Sequence, residues 1–284
     1  MLGRALMKIA RKQGYLARGT YHDSFPSEKE REDYLHLDLL KTDSILESVL
    51  SVQPHFVIHT AALTNVDRCE TEKELAWRLN VKATADLAKA AAKAQSRLVY
   101  ISADYVFDGK IGNYTEADDP NPINYYGETK LEAEFSIRKI LADPIIIRTS
   151  IHGWKDQSHS FSSWILNELK KRNRVHGIVD QITSVMYAGC LAKAILTLMT
   201  TPFSGTLHIA SRDKASKFEF AHLVAKVFRL NEDLVIPAKA EEMVHWKASR
   251  PKDVSLCVTR AEDILGYSLP SILEGLQRMK LDAQ

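Results

Sequence analysis

Tyr126 and Lys130 are the two residues of this sequence whose types and spacing point most directly to chemistry. They lie four positions apart in a segment that reads as a helix, so both side chains share one helical face. A phenol has a pKa of about 10, and a neighbouring ammonium favours the phenolate and lowers that pKa. The pair could give a proton to a carbonyl oxygen while hydride reaches the carbonyl carbon. The same spacing also occurs by chance in helices whose two side chains are simply solvated.

The elements around the pair alternate between buried strands and helices. Apolar runs at 55–60, 97–102 and 144–149 predict strands buried on both faces, as in a parallel sheet. A further short strand is predicted at 15–21, followed by a polar loop at 23–33. Helices are predicted at 2–13, 42–52, 70–95 and 125–141. This alternation is typical of βαβ units, and it predicts an α/β fold with a Rossmann-like, doubly wound parallel sheet.

The pattern loosens after residue 150, where helices are separated only by short strands. Helices are predicted at 161–171, 187–200, 217–229 and 269–281, and short strands at 206–209 and 234–236. We therefore divide the chain into a first domain at 1–150 and a smaller C-terminal lobe at 151–284.

Composition excludes several classes of function. The chain has 284 residues and a formal net charge of +2, which does not favour nucleic acid as a partner. No apolar stretch approaches the roughly 18 residues that a membrane span needs. Cys69, Cys190 and Cys257 are too few and too far apart for a disulfide framework or a zinc site, and they indicate reduced thiols in a cytoplasmic protein. No metal site is predicted, and His55 and His59 read as core or surface histidines.

The strings around the pair are specific in combination. Residues 102–109 read SADYVFDG, and residues 126–130 read YGETK. In this the sequence resembles the dTDP-4-dehydrorhamnose reductases and their sugar-nucleotide-modifying relatives among the extended short-chain dehydrogenases. Those relatives include the regulatory β-subunit of methionine adenosyltransferase. Further matching segments are 59–70, 78–81 with the structural Asn80, Asp180-Gln181 and Arg250-Pro251.

The resemblance implies an NADPH-dependent reduction of the 4-keto group of a nucleotide deoxysugar, as in dTDP-rhamnose biosynthesis. Tyr126 would be the proton donor, and Lys130 would modulate its pKa and hold a cofactor ribose. The first domain would bind NAD(P), the C-terminal lobe would bind the nucleotide sugar, and a homodimer is an open expectation. The cofactor-binding residues would be Gly3, Arg18, His22, Asp38, Leu39, Ala61, Ala62 and Lys130. The substrate-binding residues would be Asp104, Val106, Phe107, Trp154 and Arg250.

Ala103 departs from the family pattern, which has a threonine or serine hydroxyl that donates to the substrate carbonyl oxygen. Alanine has no donor. Ser102 is adjacent, but neighbours on a strand point to opposite faces, so it is a poor replacement. Loss of one such donor typically costs about 10²–10³ in turnover. We therefore expect weak activity, or a donor supplied by a substrate hydroxyl, a water or another residue.

The opening MLGRAL resembles the end of a dinucleotide-binding glycine loop, and Gly3 matches its last glycine. The first strand and the two earlier glycines of the pattern are not in the sequence. A start placed downstream of the true one or a damaged product would account for this, and we expect the 284 residues to bind dinucleotide poorly. Arg18 and His22 favour NADP over NAD, whereas Asp23 would favour NAD by accepting ribose hydroxyls.

Other interpretations stay open. The chain could be a non-catalytic, nucleotide-binding regulatory subunit, which Ala103 and the missing glycine loop favour and the Tyr126/Lys130 pair disfavours. It could also be an epimerase or a reductase of another nucleotide sugar. His152, Trp154 and His159 either line the sugar site or are ordinary loop residues. Arg250 either meets a diphosphate or forms a structural ion pair.

Overall fold

The computed structural model describes residues 1–23, 32–154 and 160–282. The helices are α1 (Leu2–Lys12), α2 (Thr42–Val52), α3 (Val66–Thr71), α4 (Lys73–Trp77), α5 (Ala83–Lys93), α6 (Tyr125–Ile140), α7 (Phe161–Lys170), α8 (Ala188–Met199), α9 (Lys217–Phe228), α10 (Thr259–Leu265) and α11 (Ile272–Leu281). The strands are β1 (Gly19–Tyr21), β2 (Tyr34–His36), β3 (Phe56–His59), β4 (Arg97–Ile101), β5 (Ile145–Arg148), β6 (Ile151–His152), β7 (Val175–Ile178), β8 (Ile182–Thr183), β9 (Met186–Tyr187), β10 (Gly205–His208), β11 (Ala215–Ser216) and β12 (Val235–Ala238).

The main sheet has four parallel strands in the order β10-β5-β4-β3. The residues of β5 are fully buried, as expected for a strand covered by helices on both faces. The sequence therefore predicted the parallel α/β class correctly. The strand β10 lies beyond residue 150 yet pairs with β5, so the sheet is not confined to the predicted first domain.

The strands β1 and β2 pair with each other in parallel and, among the described residues, join no other strand. In the common doubly wound order, one further strand stands between the positions that β1 and β3 hold here. The predicted strand at 15–21 is shortened to three residues because β2 offers only three partners, and Tyr15 and Leu16 are exposed. The strand β2 was missed.

The predicted single helix at 70–95 is wrong. It is broken into α3, α4, a π-helical turn over Arg78–Lys82, and α5, which is rich in alanine. The π-helical turn includes Asn80, whose buried side chain bonds to residues outside the helix. Such wide turns occur frequently at functional sites.

The C-terminal part surrounds three small strand pairs: β6 with β9, β7 with β12, and β8 with β11. The helices α9 and α11 each begin with a capping box, formed by Ser216 with Glu219 and by Ser271 with Glu274. These reciprocal bonds satisfy the first free amides of each helix. The helix α1 packs on α8, so the two predicted parts share one core. Within the described ranges, none of the helices has the length and apolar character of a membrane span.

Candidate functional site

Helix α6 is held at the carboxyl end of β4 by contacts at its first turn. Asn124 caps the helix by accepting a bond from the Gly127 amide (2.9 Å), and its side-chain amide donates to the Ser249 carbonyl (2.9 Å). A Cβ on Gly127 would lie 2.1 Å from the carbonyl oxygen of Tyr105. Only glycine therefore allows this close approach, which sets Tyr126 beside the loop that follows β4.

Tyr126 and Lys130 lie on the same face of α6, as predicted. The Lys130 ammonium is buried, donates to the Ile101 carbonyl (2.7 Å) and lies 4.3 Å from the centre of the Tyr100 ring. Burial lowers the pKa of Lys130 to about 7. The half-buried Tyr126 ring meets Tyr105 edge-on, with ring centres 6.0 Å apart.

The prediction that Lys130 lowers the pKa of Tyr126 is wrong. Burial raises the pKa of the Tyr126 hydroxyl above its usual value, and the negative charge of Asp104 adds to this rise. Tyr126 is therefore fully protonated near neutral pH.

The Ser102 hydroxyl already has a protein partner, in agreement with the expectation that it is a poor replacement for the donor missing at Ala103. The buried Ser102 hydroxyl donates to Glu134 (2.6 Å), which also accepts two bonds from Arg148 (3.0 and 2.9 Å) and one from Arg138 (3.0 Å). Ser102 thus belongs to a buried network between α6 and the carboxyl ends of β4 and β5. Its hydroxyl cannot replace the donor that Ala103 lacks.

Asp104 is buried and contacts both the sheet and the C-terminal lobe. Its backbone amide donates to the Thr149 carbonyl after β5 (3.2 Å), and its carboxylate accepts a bond from the Thr183 hydroxyl (2.7 Å). Burial raises the pKa of the Asp104 carboxyl to about 6. Asp104 therefore joins the carboxyl ends of two sheet strands to the lobe.

Val106 and Phe107 do not suit the substrate contacts predicted for them. Both side chains are completely buried, and the Phe107 ring stacks on Tyr114 with centres 4.2 Å apart. Their side chains belong to the hydrophobic core, which leaves only backbone groups to meet a ligand. The family string SADYVFDG is thus partly a packing motif.

Asn80 has the structural role that the resemblance implied. Its side chain accepts from the Leu63 amide (2.8 Å) and donates to the Leu63 carbonyl (3.1 Å) and the Thr129 hydroxyl (3.0 Å). These bonds tie the loop after β3 to α6. They fix the predicted cofactor residues Ala61 and Ala62 relative to Tyr126.

Gly3 lies in the first turn of α1, close to the carboxyl end of β3. A Cβ placed there would lie 3.2 Å from the Thr60 hydroxyl oxygen. Ala61 and Ala62 follow directly, so the start of α1 and the loop after β3 meet at the edge where α/β proteins bind ligands. Backbone amides at a helix start suit a pyrophosphate, so these residues fit the dinucleotide that the resemblance implies.

His22 and Asp38 meet at the carboxyl ends of β1 and β2. The distance between His22 Nε2 and an Asp38 oxygen is 3.8 Å, and Asp38 also accepts a bond from the Leu40 amide (2.9 Å). Leu39 packs partly buried against the core beneath them. This arrangement fits contacts to an adenosine ribose.

Arg18 lies at the opposite end of β1 and is exposed. Its guanidinium donates to the Glu32 carbonyl before β2. Because ligands bind at the carboxyl ends of parallel strands, this position disfavours the cofactor contact predicted for Arg18.

The two remaining predicted substrate residues have protein partners. The Trp154 indole donates to the Met279 carbonyl (2.7 Å), and the Arg250 guanidinium forms an ion pair with Asp67 (2.9 Å). Asp67 also accepts bonds from the amides of Lys247 and Ala248, so it anchors this loop to the sheet domain. Of the two alternatives given for Arg250, the structural ion pair is therefore present. His159 lies outside the described residues, and His152 is buried.

Sequence reasoning missed two polar residues of the lobe that face the sheet domain, Thr183 and Lys217. Thr183 donates to Asp104, and Lys217 lies opposite Gln181 across a strand pair. No sequence signal marks them, because they reach the site only through long-range pairing of β8 with β11. Among the described residues, no three His, Cys, Asp or Glu side chains gather in a way that could hold a metal ion.

Comparisons with known proteins agree with this geometry. The chain is 30% identical to the probable low-salt glycan biosynthesis reductase Agl14 of Haloferax volcanii, over 99% of this chain and 94% of that protein. It is 31% identical to methionine adenosyltransferase 2 subunit beta of Danio rerio, over 95% of this chain and 84% of that protein. The crystal structure of dTDP-4-dehydrorhamnose reductase from Bacillus anthracis, in complex with NADP, matches with a TM-score of 0.86 and 30% identity, covering 99% of this chain and 95% of that one.

A family model confirms the assignment made from the sequence motifs. The model described as the RmlD substrate binding domain matches residues 1–284. The chain belongs to the RmlD substrate-binding domain family.

Proposed function

We propose that this protein catalyses the NADPH-dependent reduction of the 4-keto group of a dTDP-activated deoxysugar. The observation that carries the proposal is the position of Tyr126, on α6 beside Asp104 at the carboxyl end of β4. Relatives named as a reductase and as a dTDP-4-dehydrorhamnose reductase support it. The NADP in the Bacillus anthracis structure supports NADP as the cofactor, with NAD as the alternative.

The chain's own residues supply binding and proton transfer. Gly3, Ala61 and Ala62 would hold the dinucleotide, with His22 and Asp38 at its ribose. NADPH held by these residues would supply the hydride for the carbonyl carbon.

Tyr126 gives its hydroxyl proton to the carbonyl oxygen, so that the C=O group becomes CH–OH. The raised pKa of Tyr126 keeps that proton in place before reaction. The phenolate that remains then takes a proton from solvent.

The test is a panel of nucleotide 4-keto-sugars with NADPH or NADH, followed by absorbance and by product mass. We expect NADPH oxidation with a dTDP-keto-sugar and a product two hydrogens heavier. Tyr126→Phe should lose about 10²–10⁴ in turnover, as expected for loss of a general acid.

Tyr125→Phe is the matched control on the same helix turn, and it should keep its turnover. Equal activity of Tyr126→Phe and the unchanged protein would contradict the proposal. A homodimer and a cytoplasmic location stay predictions.

One observation favours a second candidate, a non-catalytic nucleotide-binding subunit. Ala103 presents no hydroxyl, and the hydroxyl of Ser102 is bonded to Glu134. The relative from Danio rerio is named as a subunit of methionine adenosyltransferase. Stoichiometric co-purification with such a catalytic chain, together with no turnover on the panel, would decide for this candidate.

A further inference from the structure

The strand pair β8–β11 presents one face to the sheet domain. Ala215 lies opposite Thr183, and the pairing continues where the Lys217 amide donates to the Gln181 carbonyl (3.0 Å). Residues 181, 183, 215 and 217 therefore lie on the same side of the pair. Because Thr183 bonds to Asp104, that side faces the carboxyl end of β4.

Gln181, whose backbone pairs with Lys217 at the end of this strand pair, has an unpaired side-chain amide. Its side chain is only 3% exposed, and neither its oxygen nor its nitrogen has a hydrogen-bond partner in the part of the chain that the structure describes. Buried amides in native proteins are nearly always bonded, so such a group indicates a partner that is not part of the chain.

Lys217 brings a positive charge to the same face. Its ammonium lies 5.3 Å from the centre of the Trp246 ring and 6.0 Å from that of Phe161. No carboxylate of the described residues lies within ion-pair distance of it. Burial and the charge of Arg250 lower the pKa of Lys217 to about 8, while Asp104 and Asp67 act in the opposite sense. The ammonium is therefore mostly charged at neutral pH.

Arg250 adds a second cation beside the same ring, with its guanidinium carbon 5.0 Å from the centre of Trp246. Its charge is largely balanced by its ion pair with Asp67, whereas Lys217 forms no ion pair with a carboxylate of the described residues. An ammonium and an amide donor on one face suit the oxygens of an anion.

We propose that Lys217 and the Gln181 amide bind the phosphoryl oxygens of a nucleoside diphosphate in the gap between the sheet domain and the lobe. This assignment rests on the proposed function for the identity of the ligand, because the diphosphate is the anionic group of a nucleotide sugar. Neither the sequence motifs nor the family resemblance assigned Lys217 or Gln181 to contact with a ligand.

The test is calorimetric binding of dTDP, UDP, inorganic pyrophosphate and thymidine to the full chain. Lys217→Met should weaken dTDP binding about tenfold to a hundredfold, the usual effect of losing a hydrogen bond to a charged group. Lys217→Arg should retain most of the affinity, and thymidine should bind weakly to every variant because it lacks phosphate.

Lys226→Met is the matched control, since it removes the same charge from an exposed position on the same helix. It should leave dTDP binding unchanged. Gln181→Leu should weaken dTDP binding severalfold without lowering the thermal midpoint, because it removes an amide that has no protein partner. A fall in the midpoint of Gln181→Leu, with dTDP affinity kept, would mean a structural role instead.

The outcomes separate this inference from the proposed function. Binding of dTDP needs neither cofactor nor keto group, so Lys217-dependent binding without any NADPH oxidation would keep the inference and remove the reductase. If Lys217→Met turned over a keto-sugar with an unchanged KM, the proposed reductase would stand and the Lys217 inference would be wrong. Failure of the unchanged protein to bind dTDP, UDP and pyrophosphate would overturn the inference.

Discussion

The carboxyl end of β4 and the carboxyl ends of β1 and β2 both carry predicted site residues, yet they are built very differently. β4 lies between β3 and β5, and the residues that follow it are buried and cross-linked to α6 and to the lobe. The strands β1 and β2 have three residues each, and His22 is half exposed beside Asp23 and Asp38. The first end fixes its side chains, whereas the second leaves them adjustable.

The difference matches what each end is proposed to do. Proton transfer needs a donor held within a few tenths of an ångström, and a supporting network provides this. Discrimination between NADPH and NADH needs only a few polar contacts at the surface of the binding site. Substitutions at the β4 end should therefore have large effects, and those at the β1–β2 end small ones.

Glu134→Ala should have the largest effect on stability. Glu134 is completely buried and accepts bonds from Arg148, Arg138 and Ser102. Its removal leaves the buried Arg148 guanidinium without a counter-charge. We expect a loss of about 3–5 kcal/mol in the free energy of unfolding, measured in urea.

Glu72→Ala is the matched control because Glu72 pairs with Arg68 on an exposed helix surface. It should leave the free energy of unfolding almost unchanged, because water and salt screen an exposed ion pair. If both variants lost a similar free energy of unfolding, the buried bonds of Glu134 would not stabilise the protein more than an exposed ion pair does.

Ala103→Thr should raise reductase turnover on a nucleotide 4-keto-sugar by up to about 10²–10³, if the new hydroxyl meets the carbonyl oxygen. The backbone of Ala103 is extended (φ −134°, ψ 156°), which suits a β-branched residue. Ala103→Val has the same shape without the hydroxyl and should show no gain. An equal gain in both variants would assign the effect to packing instead of hydrogen bonding.

Asp104→Asn should change how the free energy of unfolding depends on pH, because it replaces a buried carboxyl group with a neutral amide. Burial raises the pKa of the Asp104 carboxyl to about 6 in the folded protein, whereas the unfolded carboxyl has a pKa of about 3.9. Between these values the unfolded chain loses a proton that the folded chain keeps, so the folded protein loses stability as the pH rises.

The stability of the unchanged protein relative to Asp104→Asn should thus fall by up to about 3 kcal/mol between pH 4 and pH 7. Urea unfolding of both proteins at the two pH values measures this difference. A difference that stays constant, or grows with pH in favour of the unchanged protein, would contradict the raised pKa.

The buried strands of the main sheet were predictable from the sequence, whereas the short strand β2 was not. The strands β3, β4 and β5 were predicted to within one or two residues because continuous apolar runs mark buried parallel strands. β2 was missed because three residues between polar segments carry no periodicity. The break at Asn80 was missed because its cause is a tertiary contact with Leu63 and Thr129.

Asp104 and His22 follow strands that the sequence predicted, and Tyr126 lies on the predicted helix α6. Asp38 follows β2, which the sequence did not predict. Burial was not predictable from the strings, which is why Val106 and Phe107 were assigned to substrate although their side chains are in the core. Lys217 was missed because a pairing between distant segments brings it to the gap.

The smallest expected effect is at the β1–β2 end, where two predicted cofactor residues lie at opposite ends of one short strand. His22 follows β1 and meets Asp38, whereas Arg18 precedes β1 and donates to the Glu32 carbonyl. His22→Ala should lower the preference for NADPH over NADH severalfold, because an exposed polar contact contributes at most about 1 kcal/mol.

Arg18→Ala is the control for this prediction, since it removes a polar side chain just before β1 and leaves the carboxyl end of the strand unchanged. Its NADPH-to-NADH preference, measured as a ratio of dissociation constants, should match that of the unchanged protein. If Arg18→Ala alone changed the ratio, the dinucleotide would contact the amino end of β1, and the rule that places ligands at the carboxyl edge would not hold for this strand pair.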